Sequence, residues 1–141
     1  MTTAMRGVVV LAAVTLSVLP GQPEPARAAD SVTSLRIVYR SAENASARVA
    51  TLRCDPAGGT LSRPAGACRA LTTLGRKAFA PTPPGMACSM IYGGPQQAVV
   101  SGTLAGRRVW ARFTRRDGCE IKRWNRIAFL LGGRCRSIAP Q

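Results

Sequence analysis

The chain has 141 residues, of which 20 are lysine or arginine and 6 are aspartate or glutamate, so its formal net charge is +14 at pH 7. It contains no histidine and no C-x-x-C pair among its 5 cysteines, which excludes a Ser-His-Asp or Cys-His catalytic set and argues against zinc. Such a charge favours polyanions as partners, namely nucleic acid, acidic cell wall or an acidic protein, although a solvated basic surface is the simpler interpretation.

The first residues have the pattern of a secretory signal peptide. Arg6 is followed by an apolar, uncharged run at positions 7–19, which is too short to span a bilayer and typical of a signal-peptide core. Small residues at Ala26 and Ala28 predict cleavage after Ala28, which makes residues 1–28 the signal peptide. An uncleaved membrane anchor is the alternative. The favoured interpretation is a secreted, extracellular protein with no membrane contact after cleavage.

The remainder of the chain is long enough for one domain with a modest core. We assign residues 29–131 to that domain and 132–141 to a flexible tail. All the cysteines follow the predicted signal peptide, at Cys54, Cys68, Cys88, Cys119 and Cys135. An oxidising compartment favours disulfides among them, with one cysteine left over.

Acidic side chains are too few for paired-carboxylate chemistry. Asp117 and Glu120 are close in sequence, on either side of Cys119, and we interpret them as turn and sheet-end residues. Because histidine is absent as well, the sequence predicts no catalytic residues, no cofactor and no metal site, and therefore no enzyme.

Two strands and a helix are predicted in the first half of the domain. Residues 35–39 and 48–54 alternate apolar and polar side chains in part, which predicts an antiparallel hairpin. Residues 67–79 have helical spacing, with Leu71, Leu74 and Ala78 on one stripe. Gly75 weakens this helix, which is the only clear helix in the chain.

Three further strands are predicted in the second half. Residues 97–104 and 107–114 form a hairpin around Ala105-Gly106, and Trp110 lies on the same face as the arginines. Residues 126–131 form a final apolar strand, while 120–125 have no clear pattern. Four or five strands and one helix give an α+β domain, with the helix on one face of the sheet.

An apolar loop, residues 85–95, has glycine and proline at both ends, which is typical of a loop. Its centre holds Cys88, Met90, Ile91 and Tyr92, an unusual content for a surface. Such a segment either folds under the domain as core or is offered to a partner. The residues alone leave both interpretations open.

Several segments together are similar to a known family. These segments are Thr51-Leu52-Arg53-Cys54-Asp55-Pro56, Ala67-Cys68, Cys88-Ser89-Met90-Ile91-Tyr92, Gly102-Thr103-Leu104-Ala105-Gly106-Arg107-Arg108-Val109 and Cys119-Glu120-Ile121. Through them the chain resembles the Streptomyces subtilisin inhibitor family of secreted serine-protease inhibitors over residues 35–131.

The resemblance implies a more detailed fold than the residues alone. It implies a five-stranded antiparallel sheet with one main helix and a short second helix. It pairs Cys54 with Cys68 and Cys88 with Cys119, which leaves Cys135 unpaired. It also implies a homodimer.

The resemblance assigns a function to the apolar loop. It makes Met90 the residue that enters the specificity pocket of a protease, with the reactive bond Met90–Ile91 flanked by Ser89 and Tyr92. The long, uncharged side chain of Met90 predicts subtilisin-like or chymotrypsin-like targets over trypsin. Gly93-Gly94 stands where the family commonly has Asp-Pro, so we expect extra freedom after the reactive bond.

Two alternative functions remain open. The first is a basic exported protein that uses the inhibitor-like scaffold to hold polyanions or cell-surface partners; the arginines proposed for this are Arg107, Arg108, Arg112, Arg115 and Arg116. No RNA-reading or zinc-finger motif supports a specific nucleic-acid partner. The second is a structural or envelope-linked partner joined through Cys135.

Overall fold

The structure is a computed structural model of the chain and describes residues 32–132. The predicted signal peptide, residues 1–28, and Cys135 of the predicted tail lie outside the described residues. Within this part of the chain, no helix has both the length and the apolar character needed to cross a bilayer.

A five-stranded antiparallel sheet forms the body of the domain, as predicted. Its strands are β1 (Thr33–Arg40), β2 (Arg48–Cys54), β3 (Gly58–Gly59), β4 (Gln97–Leu104) and β5 (Arg107–Phe113). Their order in the sheet is β3-β2-β1-β4-β5, so β1 lies at the centre and β5 at an edge. Ala105 and Gly106 join β4 to β5 with positive φ angles of 46° and 74°, the conformation that a two-residue hairpin turn requires.

The first helix begins earlier than predicted and ends at the glycine that was expected to weaken it. Helix α1 spans Pro64–Leu74, with proline in its first turn, where the missing N–H costs nothing. Gly75 has a φ of 52°, which a residue with a side chain adopts only with strain. The chain then continues as a 3₁₀ helix, Gly75–Phe79.

The predicted final strand at residues 126–131 is wrong. Helix α2 spans Gly118–Arg126 and a 3₁₀ turn spans Ala128–Leu130. Trp124, Ile127 and Leu130 are each buried to 1% exposure or less, and their spacing of three is helical. A short apolar run fits a strand or a buried helical segment equally well. For this reason the sequence pattern predicted a strand where the structure has helical turns. The two helices implied by the family resemblance are present.

One face of the sheet packs against the helices and forms the core. Alternate residues of the strands point into it, as Leu35 and Ile37 of β1 illustrate between exposed Ser34 and Arg36. The core includes Leu35, Ile37, Leu52, Leu71, Ala98, Val100, Ala111, Phe113, Trp124, Ile127 and Leu130.

The opposite face of the sheet, here called the outer face, carries no buried side chain in the described residues. It consists of Ser34, Arg36, Val38, Arg40, Val49, Thr51, Arg53, Gln97, Val99, Ser101, Thr103, Arg108, Trp110 and Arg112. Trp110 is 70% exposed among the arginines, so its predicted position is confirmed.

Removal of the Cys54–Cys68 disulfide should weaken the fold. The bond joins the end of β2 to α1 across a sequence separation of 14 residues. By limiting the conformations of the unfolded chain, it adds about 3 kcal/mol to the free energy of unfolding. We expect Cys54→Ser/Cys68→Ser to lose free energy of unfolding of that order in denaturant titrations. Cys135→Ser, which affects neither disulfide of the described residues, is the control and should change stability by less than about 0.5 kcal/mol. A double variant as stable as the parent would contradict the expectation.

Candidate functional site

The apolar loop lies on the surface between the 3₁₀ helix and β4. Met90 is 91% exposed, Ile91 64% and Tyr92 65%, while Met86 further back is 54% exposed. The interpretation of this segment as buried core is therefore wrong. Several large apolar side chains exposed to solvent within one short segment are typical of an interaction site.

The loop is fixed on the N-terminal side of Met90. Cys88 is bonded to Cys119 of α2, with the two Cα atoms 5.4 Å apart, so the pairing is the one that the resemblance implies. The next residue is held through its backbone, because the N–H of Gly118 donates to the carbonyl oxygen of Ser89 at 2.9 Å. A Cβ on Gly118 would collide with the Ser89 side chain. The missing side chain at position 118 therefore permits this close approach.

The loop is also fixed on the C-terminal side of Tyr92. The N–H of Gly93 donates to the carbonyl oxygen of Arg115 at 2.7 Å. Gly93 packs so closely that a Cβ there would lie 2.8 Å from the side chain of Ile121 and 3.2 Å from Arg115 Cβ. Extra freedom was expected for Gly93-Gly94, but Gly93 is tightly packed, and only Met90, Ile91 and Tyr92 lie between the two anchoring backbone hydrogen bonds.

Both anchors lie at or just before the start of α2. Asp117 caps this helix, since its Oδ1 accepts from the N–H of Glu120 at 2.9 Å. The interpretation of Asp117 and Glu120 as turn and sheet-end residues is thus corrected. An acidic residue three positions before a glutamate is a known signal for a helix start, and it was present in the sequence.

A largely buried ion pair lies within α2, and its arginine contacts the neighbouring elements. Both oxygens of Glu120 accept from Arg123 Nη1, at 2.8 and 2.9 Å, and each side chain is only 11% exposed. Arg123 Nε also donates to the carbonyl of Ala80 at 3.0 Å, and its guanidinium lies 4.9 Å from the ring centre of Phe113 in β5. Arg123 thereby connects the segment that leads into the loop with α2 and the edge strand.

The arginines proposed for polyanion binding do not form a single cluster. Arg108 and Arg112 lie on the outer face, whereas Arg107 lines a depression beside the Cys54–Cys68 bond. Arg115 Nη1 donates to Gln96 Oε1 at 3.1 Å, and Arg116 pairs with Asp117 at 3.6 Å. The structure separates them into different surfaces.

One group of residues has the ligand types that a metal would need. In the described part of the chain, Cys88, Asp117 and Cys119 place their ligand atoms within 4.8 Å of one another. Both sulfurs are joined in a disulfide, and a metal needs a thiolate. The group is therefore a covalent anchor for the loop.

The arrangement presents three exposed residues on rigid supports at both ends. A partner could bind residues 90–92 as it binds an extended peptide, because their backbone and side chains are accessible while their flanks are held. The family resemblance pointed to Ser89, Met90, Ile91 and Tyr92, whereas the supporting roles of Gly118 and Gly93 were not predicted. Their roles depend on contacts with residues that are distant in sequence, for which no local pattern exists.

Comparison with known protein families gives a match. The model of the family described as "Subtilisin inhibitor-like" matches residues 29–115. Among solved structures, the chain is similar to Streptomyces caespitosus sermetstatin in complex with Bacillus licheniformis subtilisin, with 28% identity, a TM-score of 0.42 and coverage of 69% of this chain and 96% of that chain. The search of curated proteins found no match.

Substitution of Gly93 by alanine should loosen the loop. The added Cβ would press on Ile121, so the hydrogen bond to Arg115 should weaken and the amide of residue 93 should exchange with solvent at least about 10-fold faster. Gly93→Ala/Ile121→Ala removes the collision and should restore much of the protection.

Gly66→Ala is the control for the glycine change. On α1 the nearest atom to its added Cβ is the end of the Arg69 side chain at 3.9 Å, so exchange in the loop should match the parent. Equal exchange in Gly93→Ala and parent protein would show that the packing against Ile121 does not hold the loop.

Proposed function

Because the chain belongs to the subtilisin inhibitor-like family, we propose that it inhibits subtilisin-type serine proteases by offering residues 89–92 to the protease as a substrate-like segment. Family membership makes it a protease inhibitor and not an enzyme. The observation that carries the proposed site is the 91% exposure of Met90 between two anchored flanks.

In the proposed complex, Met90 fills the specificity pocket and Met90–Ile91 is the reactive bond. Ser89 occupies the subsite before the pocket, and Tyr92 follows Ile91 on the leaving side. The two backbone hydrogen bonds and the Cys88–Cys119 bond support this proposal because they limit how far the loop must be ordered on binding. A segment ordered in advance loses less entropy when it binds, and it therefore binds more tightly.

The same anchors would slow the release of the chain after cleavage. Hydrolysis of Met90–Ile91 produces a carboxylate on Met90 and an amine on Ile91. The carboxylate end remains attached next to Ser89, whose carbonyl accepts from Gly118, and the amine end remains attached near Gly93, which donates to Arg115. Both ends therefore stay near the catalytic serine, and resynthesis of the bond competes with release of the cleaved chain.

Met90 also sets the proposed specificity. Its side chain is long, unbranched and uncharged, and suits a broad apolar pocket. It offers no cation for the acidic pocket of a trypsin-like enzyme. The targets that fit are subtilisin-like proteases, with chymotrypsin-like enzymes second. The predicted signal peptide, residues 1–28, would deliver the inhibitor to the extracellular space, where such proteases are secreted.

Replacement of Met90 by aspartate should abolish most of the inhibition. A carboxylate in an apolar pocket loses its hydration without gaining a partner, so we expect the inhibition constant for subtilisin to rise at least about 100-fold, as for a hot-spot residue. Titration of active subtilisin with purified protein measures it. Met86→Asp is the matched control, since Met86 is also exposed but precedes Cys88. If both variants inhibit as well as the parent, Met90 is not the pocket residue.

We include a homodimer in the proposal because the family resemblance implies one. A dimer formed through the outer faces would bring five arginines of each copy together, so its dissociation constant should fall as NaCl screens their repulsion. Sedimentation equilibrium at 50 and 500 mM NaCl tests both statements. Monomers at every protein concentration would contradict the homodimer, and a dimer that weakens with salt would exclude the outer face as its interface.

A further inference from the structure

The outer face has an unusually uniform charge. Its five arginines, all exposed, are Arg36, Arg40, Arg53, Arg108 and Arg112. The four long strands β1, β2, β4 and β5 contain no aspartate or glutamate at all. The inhibitory loop needs none of these arginines, so the proposed function leaves the charge unexplained.

The strand register spreads the guanidinium groups in a regular pattern. Arg53, Ser34, Thr103 and Arg108 form one row across the four strands, and Arg36 lies in the next row with Thr51, Ser101 and Trp110. Strands are about 4.8 Å apart and alternate residues along a strand about 6.7 Å apart. The five charges therefore cover a patch of about 14 Å across the strands and about 20 Å along them, from the row of Arg53 and Arg108 to Arg40.

The fold does not neutralise this patch. The two ion pairs found in residues 32–132 are Arg116–Asp117 and Arg123–Glu120, and neither lies on the outer face. Arg112 Nη2 donates to Gln97 Oε1 at 2.6 Å, which is a neutral acceptor. The mutual repulsion of the arginines is thus relieved only by solvent ions, and a polymer with several negative groups would displace those ions with a gain in entropy.

From this charge pattern we propose that the outer face binds a linear acidic polysaccharide. Guanidinium groups bind sulfate, phosphate and carboxylate in bidentate geometry, and Trp110 offers an exposed ring beside them. The face is the open surface of a sheet, with no helix or ribbon on it to enter a nucleic-acid groove. A single exposed ring is too little for a run of stacked bases. A linear polymer that is recognised by its negative charges therefore fits the outer face best.

One end of this surface lies far from the inhibitory loop. Gln97 begins β4 just after the loop, and the row of Arg53 and Arg108 crosses β4 at Thr103, about 20 Å further along the strand. A polymer held on that row leaves residues 89–92 free. The protein can then be retained on an acidic matrix while its loop engages a protease.

Heparin is the probe for the test. The parent protein should bind it with an affinity that falls about 100-fold between 50 and 200 mM NaCl. The variant Arg36→Gln/Arg53→Gln/Arg108→Gln should bind at least about 10-fold more weakly at 100 mM NaCl, with a salt slope smaller by about 2 to 3. Its inhibition of subtilisin should be unchanged, which also shows that it is folded.

The matched control removes three charges from the other side of the domain. Arg69→Gln/Arg76→Gln/Arg107→Gln alters exposed residues outside the outer face and should change the heparin affinity by less than about 3-fold, with the salt slope unchanged. Equal weakening in both triple variants would overturn the proposal in favour of net charge alone. Failure to bind heparin would overturn it without affecting the inhibitor assignment.

Tryptophan fluorescence supplies an independent readout. The chain has 2 tryptophans; Trp124 is 1% exposed and Trp110 is 70% exposed. Heparin should shift the emission of Trp110, and Trp110→Phe should abolish the shift. If duplex DNA bound more tightly than heparin, and the outer-face variant lost affinity for DNA to the same extent, the assignment to a polysaccharide would be overturned. A change of oligomeric state in that variant with heparin binding intact would assign the face to a second copy of the chain.

Discussion

The function proposed for this domain depends on one constraint, the attachment of both flanks of a three-residue segment to α2 and the residues just before it. A disulfide and the Gly118–Ser89 hydrogen bond fix one flank, and the Gly93–Arg115 hydrogen bond fixes the other. Backbone hydrogen bonds hold the path of the chain whatever the side chains between them are. The segment can therefore expose apolar side chains without collapsing onto the domain to bury them.

The helix that supports this segment is itself held by polar contacts. Arg123, which pairs with the buried Glu120 within α2, joins this helix to the Ala80 carbonyl and to Phe113. Breaking such a pair costs about 3–5 kcal/mol because the remaining charge is left buried, whereas replacing both partners by apolar groups is often neutral. The pair is therefore better explained by where it places α2 than by net stabilisation, since Arg123 must reach three elements at once.

The sequence predicted the sheet well because its signals are local. Alternation in β1 and β2, and the Ala105-Gly106 turn, are encoded by adjacent residues, and the exposed position of Trp110 follows from the same period. Helix α2 was missed because its short apolar continuation also fits a strand, although Asp117 and Glu120 carried a capping signal. Whether the loop around Met90 is core or surface could not be decided from its residues, which are apolar in both cases. Gly93 was expected to be free and is in fact tightly packed, because Ile121, far away in sequence, lies against it.

The exposure of residues 90–92 has a consequence for how such a domain can change. Met90, Ile91 and Tyr92 are mostly solvent-exposed, so the free energy of folding depends little on which side chains stand there. Mutational drift at these positions is then unconstrained by foldability, and a library randomised at them would sample new enzyme preferences on an unaltered scaffold.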